Sequence, residues 1–337
     1  MKIVIDADYL AYLAASVCES RSVICKHAKG STKEFKNRTE FKKWIADLNL
    51  KREEENKSKF ELEEFTFEDI QTTDDPKFGF KVIDSKIKSI LASCGYNEFT
   101  DSFHLYLGAG ETFRHKLSTL LEYKGNRANL IKPVYLPQMR AYLQSKHDAE
   151  VITDREADDE VNIIGVSDYI EWKRTGDDDY KTIVVSIDKD ARAGPMWLFN
   201  PDKDNAPRLI EGFGKLWLDA KGKVTGEGRL WGGFQILYGD DVDNYRSTCC
   251  TNVKFGPKGA YALLKDCKDD TEMWQAIVLQ YKTWYPKPLT VTGWRGNKLK
   301  VDWLYILQEV TAMATMLTSV DMQVDIKKIL DNQGVKY

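Results

Sequence analysis

The chain is poor in the residues that mark several specialised classes. Its six cysteines (Cys18, Cys25, Cys94, Cys249, Cys250 and Cys267) are too sparse for a disulfide scaffold and lack CxxC spacing. Reduced thiols are the expectation. Four scattered histidines, His27, His104, His115 and His147, give no zinc cluster. No run of about 18 apolar residues occurs, which excludes a membrane-spanning helix. The opening MKIVIDADYLAYLAAS resembles a secretory leader in hydropathy, but Asp6 and Asp8 interrupt its apolar stretch. Charge of one sign is also lacking, with 49 Lys and Arg against 52 Asp and Glu and a formal net charge of −3.

What is present describes a chain able to fold. At 337 residues it has the length of one large or two modest domains with a proper core. Apolar residues at 42% and charged residues at 30% exclude a disordered chain. The near-neutral total hides segregation. Residues 148–190 hold 14 acids against 5 bases, whereas residues 111–140 hold 6 bases against 2 acids and residues 253–300 hold 9 against 4. An acidic centre between basic stretches suits a site that gathers cations and holds a polyanion.

Lys2–Ile5 is a short apolar run ending at Asp6 and predicts a buried strand, followed by a helix over Tyr9–Val17. Residues 30–75, with KREEENK and ELEEF, predict an exposed helical or mobile insertion. Val82, Ile83, Ile87, Ile90 and Leu91 fit one helix face. Phe103–Leu107 and Thr182–Ile187 read as strands, and residues 208–225 as a hairpin turning at Lys221-Gly222. Strands alternating with helices over the first 200 residues predict an α/β fold with a mainly parallel central sheet flanked by helices, followed by a mostly helical part.

Four acidic segments then stand out: Asp6 at the end of the first strand, Glu156-Ala-Asp158-Asp159, Asp188-Lys-Asp190, and Asp240-Asp-Val-Asp243. In an open parallel sheet the loops at the carboxyl ends of neighbouring strands share one crevice, which Asp6 and Asp188 should both face. Helical i, i+3 spacing turns Glu156 and Asp159 the same way, and Asp240 stands in that relation to Asp243. So many carboxylates in one cleft repel unless cations neutralise them. Oxygen ligands alone favour Mg²⁺ or Mn²⁺ over zinc, and two such ions suit phosphodiester hydrolysis. Any single pair is equally an ordinary helix cap or loop acid, so the joint occurrence carries the reading.

The ordered set IDAD, FRHKLSTLLEYKGNR (113–127), EADDE (156–160), SIDKD (186–190), YGDDVDN (238–244) and FGPKGA (255–260) resembles the 5′-nuclease family. That family includes the flap endonucleases, the 5′-nuclease domain of bacterial DNA polymerase I and the phage 5′→3′ exonucleases. The resemblance implies a PIN-like core over residues 1–200, with the charged insertion and a helical arch at about 111–140. It implies for residues 201–337 a hairpin, a helix–hairpin–helix DNA-binding region and C-terminal helices packed on the core. It implies a first ion at Asp6, Glu156, Asp158 and Asp159, and a second at Asp188, Asp190, Asp240 and Asp243. Lys124 and Arg114 would neutralise charge on the scissile phosphate. Tyr123, Arg127, Lys254, Gly256, Lys258 and Gly259 would contact DNA, with Tyr123 the candidate for stacking on a base and a monovalent cation as a further ion at the helix–hairpin–helix. Lys254 and Lys258 supply charge where glycines let a phosphate approach the amides of a helix start, a backbone grip without sequence preference.

The function implied is a two-metal 5′→3′ exonuclease or structure-specific 5′ nuclease on DNA or RNA–DNA hybrid, of phage replication or host-DNA degradation. Its setting would be the cytoplasm of an infected bacterial host. Three features depart from the family pattern. Leu107 stands where an Asp usually precedes the FR motif, with Glu111 as a substitute. YRSTCCTNVK replaces a glycine-containing turn before FGPKGA, and residues 30–75 exceed what compact members carry. A haloacid-dehalogenase-type phosphatase, with Asp6 as nucleophile and Asp8 as acid, explains IVIDAD and GDD but leaves the other motifs aside; a trapped covalent intermediate would favour it. A non-catalytic DNA-binding homologue is the other alternative. Trp217 and Trp231 are expected in the core, GEGRLWGG as a turn, and Asp177-Asp178-Asp179 as a solvated loop.

Overall fold

The computed structural model describes residues 1–128 and 130–337. The chain starts with β1 (Lys2–Asp6) and α1 (Asp8–Ser16), then β2 (Glu19–His27), β3 (Thr32–Phe35), α2 (Arg38–Glu54) and β4 (Phe65–Thr73). The middle comprises α3 (Lys77–Ser93), β5 (Ser102–Thr112), α4 (Phe113–Leu117), α5 (Leu136–His147), β6 (Glu150–Asp154), α6 (Ala157–Thr175), β7 (Thr182–Val185), β8 (Met196–Phe199) and β9 (Arg208–Ile210). The remainder is β10 (Lys215–Leu218), β11 (Val224–Glu227), α7 (Arg229–Tyr238), α8 (Pro257–Leu264), α9 (Asp270–Trp284), β12 (Leu289–Thr292), β13 (Lys298–Val301), α10 (Trp303–Ala314) and α11 (Ile326–Asn332). Among the described residues no helix is long and apolar enough to cross a membrane.

Two compact units emerge: Met1–Tyr9, Lys86–Ile131 and Leu143–Tyr337 form one, Leu10–Ser85 and Lys132–Tyr142 the other. The first is α/β, with a six-stranded sheet in the order β6-β5-β1-β7-β8-β9. All pairings are parallel except β8 with β9. Ile3, Val4 and Ile5 are fully buried, as a central parallel strand covered on both faces requires. One face is sealed by Ala157, Val161 and Val166 of α6 against Val4, Val184 and Leu198. A second apolar cluster joins Trp231 and Phe234 of α7, Ile277 and Tyr281 of α9, and Leu307 and Val310 of α10. The expected boundary at residue 200 does not hold, because β9 beyond it closes the edge of the main sheet and residues 201–337 belong to the same unit. A second hairpin, β12–β13, lies within the part expected to be helical.

The second unit bears out an exposed helix within residues 30–75, as α2, but adds a sheet and a small core that were not expected. It is ordered around a three-stranded antiparallel sheet, β3-β2-β4. Phe35, Phe41, Ile45 and Phe65 bury against Cys25, with Phe41 edge-on to Phe35 and Phe65. Asn37 caps α2 through the Glu40 amide at 2.9 Å. The aromatic residues that build this core are outnumbered by surface Lys and Glu, so average polarity concealed them.

The arch stretch 111–140 also differs from the expectation of a helical element. β5 runs to Thr112, α4 lasts five residues, and Gly125–Arg127 is a single 3₁₀ turn before α5. Asn129, within that stretch, lies outside the described residues.

Candidate metal centre

The backbone delivers the acids to one edge of the sheet. β1 and β7 are parallel neighbours in the register Lys2↔Thr182 to Ile5↔Val185, so Asp6 and the turn after β7 leave the sheet together. That turn is set by side-chain acceptors: Ser186 Oγ accepts from the Asp188 amide at 3.1 Å, and Asp188 Oδ1 from the Asp190 amide at 2.9 Å. Glu156 precedes the first turn of α6, where Asp158 and Asp159 favour the positive end of the helix dipole. Gly239, at φ 96°, turns the chain out of α7. Asp240 and Tyr245 then exchange backbone bonds of 2.8 and 3.1 Å, closing the loop that carries Asp243.

Two groups of carboxylates result, Glu156 with Asp158 and Asp159, and Asp190 with Asp240 and Asp243; within each, oxygens lie within 4.8 Å of one another. Asp6 and Asp188 join them electrostatically. Burial, then Asp8, Asp188 and Glu156, push the Asp6 carboxyl up to about 7. Burial raises Asp158 well above the carboxylate range, aided by Glu156, Asp159 and Asp188. Asp190 is raised by burial and by Asp188 and Asp240. The eight acids therefore share one field, and these buried carboxylate groups can hold a metal ion; oxygen donors suit a hard cation.

Not all eight are equally open to a cation. Asp159 is fully buried in a two-pronged pair with Arg114, at 2.5 and 2.8 Å, and accepts from the Leu317 amide at 3.0 Å. Arg114 in turn donates to the Met313 and Thr315 carbonyls at 3.2 and 2.9 Å and to Glu156 at 3.2 Å. This corrects the assignment of Arg114, which faces the protein rather than a phosphate, and it gives Asp159, one of the carboxylates grouped at the site, a second role as the counter-charge of a buried guanidinium.

Tyr123 requires a correction as well. Its ring is 3% exposed and its hydroxyl donates to Glu156 Oε2 at 2.8 Å, so it orients a carboxylate and has no face for a base. Lys124 does reach the site. Its left-handed backbone, φ 57°, turns the side chain onto Glu156, with Nζ 3.9 Å from Asp243. Burial raises the Glu156 carboxyl, but Lys124 and Arg114 outweigh it and hold the group below its ordinary value. Arg127 pairs with Asp243 at 2.6 Å, and Asn126 Nδ2 donates to the Asp241 carbonyl at 2.5 Å, so the YKGNR segment is docked on the YGDDVDN loop.

Leu107 is fully buried in β5, and Glu111 is exposed. Beside them the Gly108 amide donates to Asp8 Oδ2 at 2.9 Å, which holds Asp8 against the sheet end. At the start of α8, Lys254, Gly256 and Lys258 are exposed as a backbone grip needs. Gly259 has a different reason to be glycine: a Cβ there would come within 2.9 Å of the Phe255 ring. Residues 239–256 between α7 and α8 form a long link rather than a tight hairpin. Three groups at the site escaped the sequence reading. Lys189 meets Asp240 at 2.5 Å, Gln235 donates to Asp190, and Trp231 Nε1 donates to the Lys189 carbonyl at 3.0 Å. Gln235 had a legible signal, a lone amide in the apolar helix RLWGGFQILY.

The raised Asp6 carboxyl makes stability depend on pH and cation together. Its ordinary value is 3.8 and its folded value about 7, so the folded state binds the proton more tightly between those limits. Without a divalent ion, that contribution is complete below pH 4 and is lost as pH rises through about 7, up to about 4 kcal/mol for this group. Stabilisation by a divalent cation held at these carboxylates, with Mg²⁺ as the probe, is therefore expected to grow from pH 5 to pH 8. Unfolding midpoints measured with Mg²⁺ and with EDTA across that range check it; a constant difference would refute it. Comparison with protein-family models gives no match for this chain, and comparison with curated proteins gives none either.

Proposed function

We propose that the chain is a metal-dependent phosphodiesterase of the 5′-nuclease type, hydrolysing DNA near a 5′ end or flap. The observation that carries the reading is the convergence of Asp6, Glu156, Asp158, Asp188, Asp190, Asp240 and Asp243, from four separate segments, at the carboxyl edge of a parallel sheet. Mg²⁺ or Mn²⁺, as two ions bound there, would supply the charge that activates water and offsets the leaving oxygen. The protein's own groups do the positioning. Tyr123 and Arg114 orient Glu156, Gln235 orients Asp190, and Lys124 supplies a fixed positive charge beside the carboxylates where a phosphate would dock. The PIN-like core, the arch and the DNA grip at α8 are parts of this same proposal.

End-labelled duplex, 5′-flap and RNA–DNA hybrid substrates, incubated with Mg²⁺ or EDTA, test it. Short 5′-phosphorylated products only with Mg²⁺ are expected; no cleavage of any substrate would defeat the reading. For the grip, Lys258→Ala should weaken binding of all duplex sequences alike and reduce the slope of log K against log salt by about one unit. A changed base preference would contradict a backbone grip.

A further inference from the structure

A second, basic cleft of about 560 Å³ opens between the 3₁₀ turn Asp190–Ala193, β9 and the β10–β11 hairpin. Arg192, Lys203, Arg208, Lys215 and the ring of Trp217 line it. Only two acids, Asp204 and Glu227, share the lining, leaving a surplus of two positive charges. Arg208 pairs with Glu227 and lies 3.9 Å from Asp204, whereas Lys215 is 3.8 Å from Glu227. Lys203 is exposed, with no acid partner among the described residues. Arg192 and Arg208 oppose each other's charge across the cleft. Four cations against two acids leave the cleft net positive, a lining suited to an anion.

The cleft is built rather than incidental. Arg192 donates to Thr225 Oγ1 at 2.9 Å, and its carbonyl accepts from the Gly228 amide at 2.8 Å, tying the turn to the hairpin. Gly228, at φ 74°, lies against Gly214; a Cβ on it would fall 2.6 Å from the Gly214 Cα. Trp231 is buried in the core as expected, but Trp217 keeps part of its ring exposed beside Lys215. Arg192 is two residues beyond Asp190, and its charge interacts with Asp188. The cleft thus adjoins the second carboxylate group.

We infer that this cleft is a subsite for single-stranded nucleic acid, with the phosphates on Arg192, Arg208 and Lys203 and a base stacked on Trp217. The assignment rests on the phosphodiesterase reading for its role, leading a strand away from the carboxylates, but its binding can be measured alone. Stacking on an aromatic ring is worth about 1–3 kcal/mol per base, a loss of about five- to 150-fold when the ring is removed.

The test is binding of a fluorescent oligothymidylate to the full chain in EDTA, where no turnover intervenes. Trp217→Ala is expected to weaken it about tenfold or more, and Trp217→Phe to restore most of the affinity. Competition by inorganic polyphosphate, which has charge but no bases, should be unchanged in Trp217→Ala. Lys203→Ala should lower the salt slope by about 0.7. Oligothymidylate affinity of Trp217→Ala within twofold of wild type, with an unchanged unfolding midpoint, would overturn the subsite. So would equal loss of oligothymidylate and polyphosphate. The two readings fail separately. Mg²⁺-dependent cleavage together with an inert Trp217 sinks only the subsite, whereas Trp217-dependent binding without cleavage sinks only the phosphodiesterase.

Discussion

On the proposed phosphodiesterase function, Asp188→Asn is expected to reduce Mg²⁺-dependent cleavage at least about a hundredfold while leaving the fold and duplex binding nearly unchanged. The asymmetry follows from what the side chain does. Its charge acts on Asp6, Asp158 and Asp190, so it adds to the field of both carboxylate groups. An amide removes that charge without removing the shape. Its carbonyl oxygen can still accept from the Asp190 amide, the 2.9 Å bond that holds the turn. The proposed duplex grip uses Lys254 and Lys258 at α8, which are not part of either carboxylate group. In EDTA the variant should be more stable than wild type, because one of the mutually repelling charges is gone. Single-turnover cleavage, duplex binding and unfolding midpoints measured on one preparation check all three. Turnover close to wild type would remove Asp188 from the site, and a collapse of duplex binding would show that the two functions are not separable.

How far the sequence foretells this arrangement depends on how local each cause is. Asp6 is legible because Ile3, Val4 and Ile5 form an uninterrupted apolar run just before it, the pattern of a strand covered on both faces. Asp188 is legible for the same reason after β7. The roles of Asp159 and Arg114 are not legible, since they depend on Met313, Thr315 and Leu317, about 155 to 200 residues away in the chain. No spacing rule reaches that far. Tyr123 misleads because a tyrosine beside a lysine in a basic stretch looks exposed, yet the ring packs edge-on to His115 and its hydroxyl is spent on Glu156. The insertion misleads by averaging. Phe41, Trp44, Ile45 and Leu48 form one apolar face of α2, but the charged residues around them dominate the average of the segment.

Arg114→Met carries the largest expected effect on stability, about 3–5 kcal/mol of unfolding free energy. The substitution is close in volume, so the cost is electrostatic. It leaves the Asp159 carboxylate fully buried without its counter-charge, and the Met313 and Thr315 carbonyls without their donors. Because the fault lies in an orphaned charge, removing the charge should repair much of it. Arg114→Met combined with Asp159→Asn is therefore expected to recover a large part of the lost stability, a coupling that two independent sites would not show. Asn can still accept from the Leu317 amide at that position. The same pair of variants separates a supporting role for Arg114 from a chemical one. If it only braces α6 beneath the carboxylates, the double variant should bind Mn²⁺ with near-normal affinity in calorimetry once its folding is restored. It should also cleave within about tenfold of wild type, the lower range seen when groups behind a ligand are changed. A double variant that folds and binds Mn²⁺ yet cleaves a thousandfold more slowly would return the guanidinium to the phosphate, and would require the site to rearrange when substrate arrives.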